Sequence, residues 1–99
     1  MESIDELIFL FGEELVDAWL QSYQTEVEDV YEKLIIEEFI TTIRHVLTLE
    51  EYDIICRRFG IGYDVITQAD LAEQMGVSRS YLSRIEKRAL FKIKQQIKK

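Results

Sequence analysis

QADLAEQMGVSRSYLSRIEKRALFKIK, residues 68–94, is the stretch whose reading decides the fold. Two helices that cross steeply over a short turn need a small residue on the first where the second comes close, and Ala72 stands at that point. Four positions on, Gly76 falls where the turn calls for a left-handed backbone, which glycine adopts without steric cost. Ser78 then offers its hydroxyl to the first turn of a second helix. Leu71, Met75, Val77, Leu82 and Ile85 recur at the spacings that seal such a pair against a third helix. Left over on the second helix are Arg79, Ser80, Ser83, Arg84, Lys87 and Arg88, side chains suited to base edges and phosphates. The pattern predicts a helix-turn-helix, and the plainer alternative is an antiparallel helix pair with a solvated basic face.

Outward from this stretch the chain is punctuated by helix starts. Ser3 precedes Glu6, Thr25 precedes Glu28, Thr48 precedes Glu51 and Thr67 precedes Asp70, each hydroxyl three positions before a carboxylate. In that pattern a side chain and the backbone satisfy each other's orphan donors. With Ser78 they predict helices over residues 4–22, 26–47, 49–59, 68–75 and 79–97. Residues 60–66, with Gly60, Gly62 and Asp64, form the one real loop.

Composition agrees with an all-α chain. Its 99 residues hold no proline and four glycines, and apolar side chains recur every three or four positions rather than every second. That length suits one domain, or a compact domain with an appendage, whose core is just large enough to stand alone. The apolar run from Leu7 to Phe11 is too short to span a bilayer and the N-terminus lacks a basic leader, so a cytoplasmic location is expected. A single Cys56 forms no internal disulfide and builds no metal site with His45. Cys56 is read as a small buried apolar residue and His45 as a helix-end residue. No glycine-rich phosphate loop, nucleophile elbow or ligand cluster is present, which argues against an enzyme, a metal or a cofactor.

Charge is divided unevenly. Residues 1–45 carry twelve acidic and two basic side chains, and residues 46–99 carry seven acidic and ten basic, within a total of -7. From Gly76 onward eight basic groups face Glu86 alone. An acidic protein is ordinarily a poor partner for nucleic acid, but here a basic head follows an acidic front.

At these residues a family resemblance appears. VSRSYLSRIEKRAL, residues 77–90, resembles the end of region 4 in the sigma-70 family of bacterial RNA polymerase sigma factors, nearest in wording to the sporulation sigma factors. LEEY at 49–52 and RRFGI at 57–61 resemble the helix and turn that open that region. The resemblance covers about residues 28–94, and nothing in the chain resembles region 2. It implies a small helical domain with a C-terminal helix-turn-helix and no winged element. Residues 25–99 would form the region 4-like domain, preceded by an acidic amphipathic helix or appendage over 1–24.

The function implied is sequence-specific recognition of double-stranded promoter DNA at a -35-type element in transcription initiation, with the helix from Arg79 to Arg88 in the major groove. Carried over residue by residue, Arg79, Ser80 and Arg84 occupy base-reading positions. Either arginine suits a bidentate contact to guanine, and the short Ser80 constrains the base little. Tyr81, Ser83, Lys87 and Arg88 suit phosphates. Arg57, Arg58, Thr67 and Gln68 add backbone contacts from the preceding helices, where the helix start at Thr67 favours an anion. Glu86 departs from the basic trend and is expected to orient an Arg or Lys three or four positions away on its own helix. RNA polymerase core or a companion sigma subunit is the implied protein partner. Without region 2, the chain reads as a region 4 fragment, one half of a split sigma factor, or a regulator built on that domain.

The front half supports three readings. Ile4, Leu7, Ile8, Phe11, Leu15, Trp19 and Tyr23 share one side of the first helix, while Phe9, Leu10 and Val16 broaden it. Val27, Val30, Tyr31, Leu34, Ile35, Phe39, Ile40, Ile43 and Val46 do the same on the second. Both helices either pack onto the helix-turn-helix or leave apolar surface for polymerase, a sigma partner or a second copy of the chain. The third reading lets Glu13, Glu14, Asp17, Glu26, Glu28, Asp29, Glu32, Glu37 and Glu38 fold over the basic helix as an imitation of DNA. The alternative function is a regulator, an anti-sigma or co-regulator, that binds polymerase or a sigma partner rather than DNA.

Overall fold

In the computed structural model, which describes residues 3–21 and 29–97, the chain runs through six helices, and no strand occurs among the described residues. They are α1 (Ile4–Phe11), α2 (Glu13–Leu20), α3 (Asp29–Val46), α4 (Leu49–Phe59), α5 (Gln68–Met75) and α6 (Arg79–Ile97). The last three coincide with the ranges expected from their caps. Thr48 and Glu51 complete a reciprocal capping box: the Thr48 hydroxyl accepts from the Glu51 N–H at 3.2 Å, and the Glu51 carboxylate accepts from the Thr48 N–H at 2.9 Å. Thr67 accepts from the Asp70 N–H and Ser78 from the Tyr81 N–H, at 3.1 and 3.0 Å. Ser3 accepts from the Glu6 N–H, and Glu32 of α3 reaches back to accept from the Ile4 N–H. The start expected at Thr25 lies outside the described residues.

The helix expected over residues 4–22 is broken in two at Gly12. Its backbone sits at φ 92°, ψ 146°, a region closed to residues with a Cβ. The Gly12 N–H still donates to the Ile8 carbonyl at 2.8 Å, and its own carbonyl accepts from Val16 at 3.2 Å, so one residue closes α1 and opens α2. The break re-aims the second helix. Val16, off the main stripe of a continuous helix, is fully buried beside Leu15, whereas Phe9 is 88% exposed.

Two apolar clusters form the interior. The larger joins Leu7, Phe11, Leu15 and Val16 to Phe39 and Ile43 of α3, Ile55 of α4, and Ala89 and Ile93 of α6. Phe11 meets Phe39 and Phe59 edge to face, with ring centroids 5.0 and 5.1 Å apart. The smaller holds Ile54, Leu71, Ala72, Leu82 and Ile85, with Met75 and Val77 at its edge, which is the seal anticipated for the helix-turn-helix. Helix α6 spans both clusters, Leu82 and Ile85 in one and Ala89 and Ile93 in the other. The helix-turn-helix and the front half are thereby mounted on one rod. No helix among the described residues is long and apolar enough to cross a membrane.

Candidate nucleic-acid interface

The turn between α5 and α6 fixes the entry angle of α6. Gly76 adopts φ 69°, ψ 28°, the left-handed conformation expected of it. Its N–H donates to the Glu73 carbonyl at 3.2 Å and the Val77 N–H to the Ala72 carbonyl at 3.0 Å, the paired closure of a Schellman motif. Ala72 is buried at the crossing, where a larger side chain would push α6 away.

Beyond the turn, α6 presents Arg79, Ser80, Arg84, Lys87 and Arg88 to solvent, with Tyr81 and Ser83 half-buried between them. Neither Arg84 nor Lys87 enters an ion pair among the described residues. The described acidic side chains of the front half do not cover this face. Helices α2 and α3 meet α6 through buried Ala89 and Ile93, whereas exposed Arg79 and Arg84 lie on its first two turns. For the described acidic residues this corrects the reading in which they fold over the basic helix: apolar burial draws α2 and α3 to the far half of α6. Glu26, Glu28 and the side chain of Asp29 lie outside what is described.

Two buried carboxylates tie α6 to α4 and α5. Glu86, 8% exposed, accepts from Arg58 Nε through one oxygen and from Gln68 Nε2, at 2.6 Å, through the other. Arg58 also donates from Nη1 to the Ile66 carbonyl at 2.8 Å, which ties the loop to α4. The expectation for Glu86 is corrected here. Its partners stand 28 and 18 residues away on α4 and α5, because the side chain faces the helix crossing and not the solvated edge where neighbours at three or four would meet it.

Glu51 is fully buried and takes Arg88 Nε at 2.7 Å and Lys92 Nζ at 2.8 Å in addition to the Thr48 N–H. Burial alone would raise its pKa, but the hydrogen bonds from Lys92, Thr48 and Arg88 outweigh it and hold the carboxyl at about 2. Sequence reasoning gave Glu51 only its cap and missed Lys92, since the partners lie 37 and 41 residues apart and no local spacing announces them.

The remaining site residues divide by what already holds them. Arg57 pairs with Asp53 at 3.0 Å and lies 4.5 Å over the Tyr63 ring. Arg58 and Gln68 are engaged with Glu86, and Gln68 Oε1 accepts from Arg79 Nε at 3.2 Å. Tyr81 donates its hydroxyl to Glu50 at 3.1 Å, which raises the phenol pKa. Arg88 is bound at Nε yet 55% exposed, so the rest of its guanidinium faces solvent. The Thr67 hydroxyl caps α5. Cys56 is buried on α4, and its burial pushes the thiol pKa up.

A family profile described as Sigma-70, region 4 matches residues 45–95, just over half of the chain. The chain belongs to the sigma-70 region 4 family. Over 74 residues it is 40% identical to the RNA polymerase sigma-28 factor of Bacillus thuringiensis subsp. kurstaki, a match that covers 71% of this chain and 31% of that protein. Over 74 residues it is also 35% identical to the RNA polymerase sigma-K factor of Bacillus subtilis strain 168, covering 71% of this chain and 25% of that protein. The chain therefore spans between a quarter and a third of the relatives it matches. No solved structure matches it. Within this region 4 chain the matched residues hold α4, α5 and nearly all of α6, while α1 and α2 precede them.

Proposed function

We propose that this region 4 chain binds duplex promoter DNA at a -35-type element in bacterial transcription initiation, with the first turns of α6 in the major groove. The observation that carries the reading is the exposed trio Arg79, Ser80 and Arg84 on a helix tied to α4 and α5 by buried Glu51 and Glu86 at its two flanks. A reading helix needs that contrast, because base edges are distinguished only by donors held at a defined distance and angle. Arg79 and Arg84 each take a guanine O6 and N7, worth about 1–3 kcal/mol of discrimination apiece. Ser80 makes an adaptable contact between them. Lys87, Ser83 and the free part of Arg88 touch phosphates along α6, and Tyr81, Arg57 and the N-terminus of α5 at Thr67 touch them from either side. Arg58 and Gln68 act from behind through Glu86.

The wider role is that of a region 4-like subunit, or one half of a split sigma factor, acting with RNA polymerase core or a companion sigma subunit. Similarity to two RNA polymerase sigma factors supports it. A second reading, docking of one of these proteins in place of DNA, is favoured by one observation. Phe9, Tyr63 and Val65 stay exposed around a hollow of about 520 Å³ between α1 and the loop after α4.

Selection from a randomised duplex library, at low and moderate salt, separates the two. The intact chain should enrich one motif that an Arg79→Ala, Arg84→Ala double variant does not. Absence of enrichment, with polymerase or a sigma subunit bound in its place, overturns the DNA reading.

A further inference from the structure

Behind Arg79 lies a chain of side chains whose order is fixed by chemistry. Glu86 is buried and ionised groups there must be fully partnered, so each of its oxygens is committed: one to Arg58 Nε, the other to Gln68 Nε2. A carboxylate only accepts. The amide of Gln68 must therefore turn its NH₂ toward Glu86, which leaves its carbonyl oxygen as the end facing outward. That oxygen accepts from Arg79 Nε at 3.2 Å. The flipped amide would set NH₂ against a guanidinium and a carbonyl against a carboxylate, repulsive at both ends.

We infer that Gln68 is a positioning residue which, oriented by Glu86, holds Arg79 by its Nε and aims the two terminal nitrogens of its guanidinium at a guanine. The inference rests on the DNA reading above and deepens it. Arg79 stands at the exposed start of α6, where an unrestrained arginine samples many rotamers and contacts any base it reaches. With Nε held, the planar fork keeps one face and one direction, the geometry that a bidentate contact to O6 and N7 demands. Arg84, outside this chain of bonds, carries no such restraint among the described residues. The two base-reading arginines are accordingly unequal: Arg79 discriminates sharply and Arg84 adapts. Gln68, placed at phosphates by sequence reasoning, acts on specificity through Arg79.

The test uses the full chain, the duplex it selects, and a Gln68→Met variant that keeps side-chain length while removing both amide functions. In the free protein, hydrogen exchange at Arg79 Nε should be slower than at Arg84 Nε and should rise roughly 10-fold in the variant. On DNA, Gln68→Met should lower preference by roughly 5- to 20-fold at the base pair whose preference Arg79→Ala erases, with the salt slope unchanged and no further effect in the Arg79→Ala background. Equal exchange at the two arginines, or a loss uniform across sequences with a shallower salt slope, overturns the relay and returns Gln68 to a phosphate contact. These results leave the DNA reading standing, because the intact chain still selects its motif. An intact chain that selects nothing overturns the DNA reading itself, and the assignment of Gln68 to specificity falls with it.

Discussion

From α4 onward buried charge is added to an apolar seal, whereas the half before it is packed mainly by hydrocarbon. Glu51 and Glu86 each bind two partners from distant parts of the chain, Glu51 joining α4 to α6 and Glu86 joining α6 to both α4 and α5. The contacts of α1 and α2 with the rest of the larger cluster run through Leu7, Phe11, Leu15 and Val16, with aromatic rings meeting edge to face. Apolar burial is strong and non-directional. Hydrogen-bonded carboxylates are directional and are costly when one bond is lost. A front half of that kind supplies mass to the core, while the network behind α6 sets the angle at which Arg79 and Arg84 are shown.

The largest test of that contrast is Phe39→Ala. Phe39 is fully buried and touches Phe11 and Trp19 edge to face, so its loss should lower stability by about 3–5 kcal/mol. Because α6 threads both clusters, denaturant melting followed by Trp19 fluorescence and by far-UV dichroism should shift together. A variant in which the helix-turn-helix outlasts the front half would divide the molecule into separate units.

Acid should act on the other half. Glu51 is held at about 2 against an ordinary carboxylate value of 4.5, so its contribution is fully present above pH 4.5 and is lost as pH falls toward 2. The difference corresponds to stability on the order of 3 kcal/mol. Replacing Glu51 by Gln should remove that acid limb and lower stability at pH 7. An unchanged limb in Glu51→Gln would assign acid sensitivity to the exposed carboxylates of the front half.

A smaller effect is expected at the break between α1 and α2. A Cβ at Gly12 meets no atom within 4 Å, so Gly12→Ala tests conformation alone and should cost about 1–3 kcal/mol. A neutral result would mean that α1 and α2 join into the single helix their apolar stripe suggests.

That stripe shows how far the sequence could be read. Thr48, Thr67, Ser78 and Gly76 act within a few residues of themselves, and their helices lie where local chemistry puts them. Gly12 was visible as a glycine, but Leu7, Phe11 and Leu15 fit a continuous helix equally well, and only the demands of the core on Val16 decide for a break. The exposed face of α6 was legible because its own periodicity separates Arg79, Arg84 and Lys87 from Leu82 and Ile85. The carboxylates behind it were not, since Glu86 with Arg58 and Glu51 with Arg88 and Lys92 are pairs made by the crossing of helices. Periodicity reports which side of a helix is inside; it carries no information about which charge from another helix waits there.

The last and smallest effect separates the two kinds of contact on α6 itself. Arg84→Ala should cost about 1–3 kcal/mol at one base pair and little elsewhere, since a bidentate arginine discriminates among edges. Lys87 stands almost one turn further on, exposed and without an ion pair among the described residues. At a phosphate its ammonium acts as a point charge, indifferent to the base above it. Lys87→Ala should therefore weaken all duplexes alike and reduce the slope of log K against log salt by about 0.9, the loss of one neutralised phosphate. Titrating the selected duplex and a scrambled one at several salt concentrations measures both quantities. A base-selective loss at Lys87 would extend the reading surface a turn further along α6 and shift the boundary between the residues that specify and those that anchor.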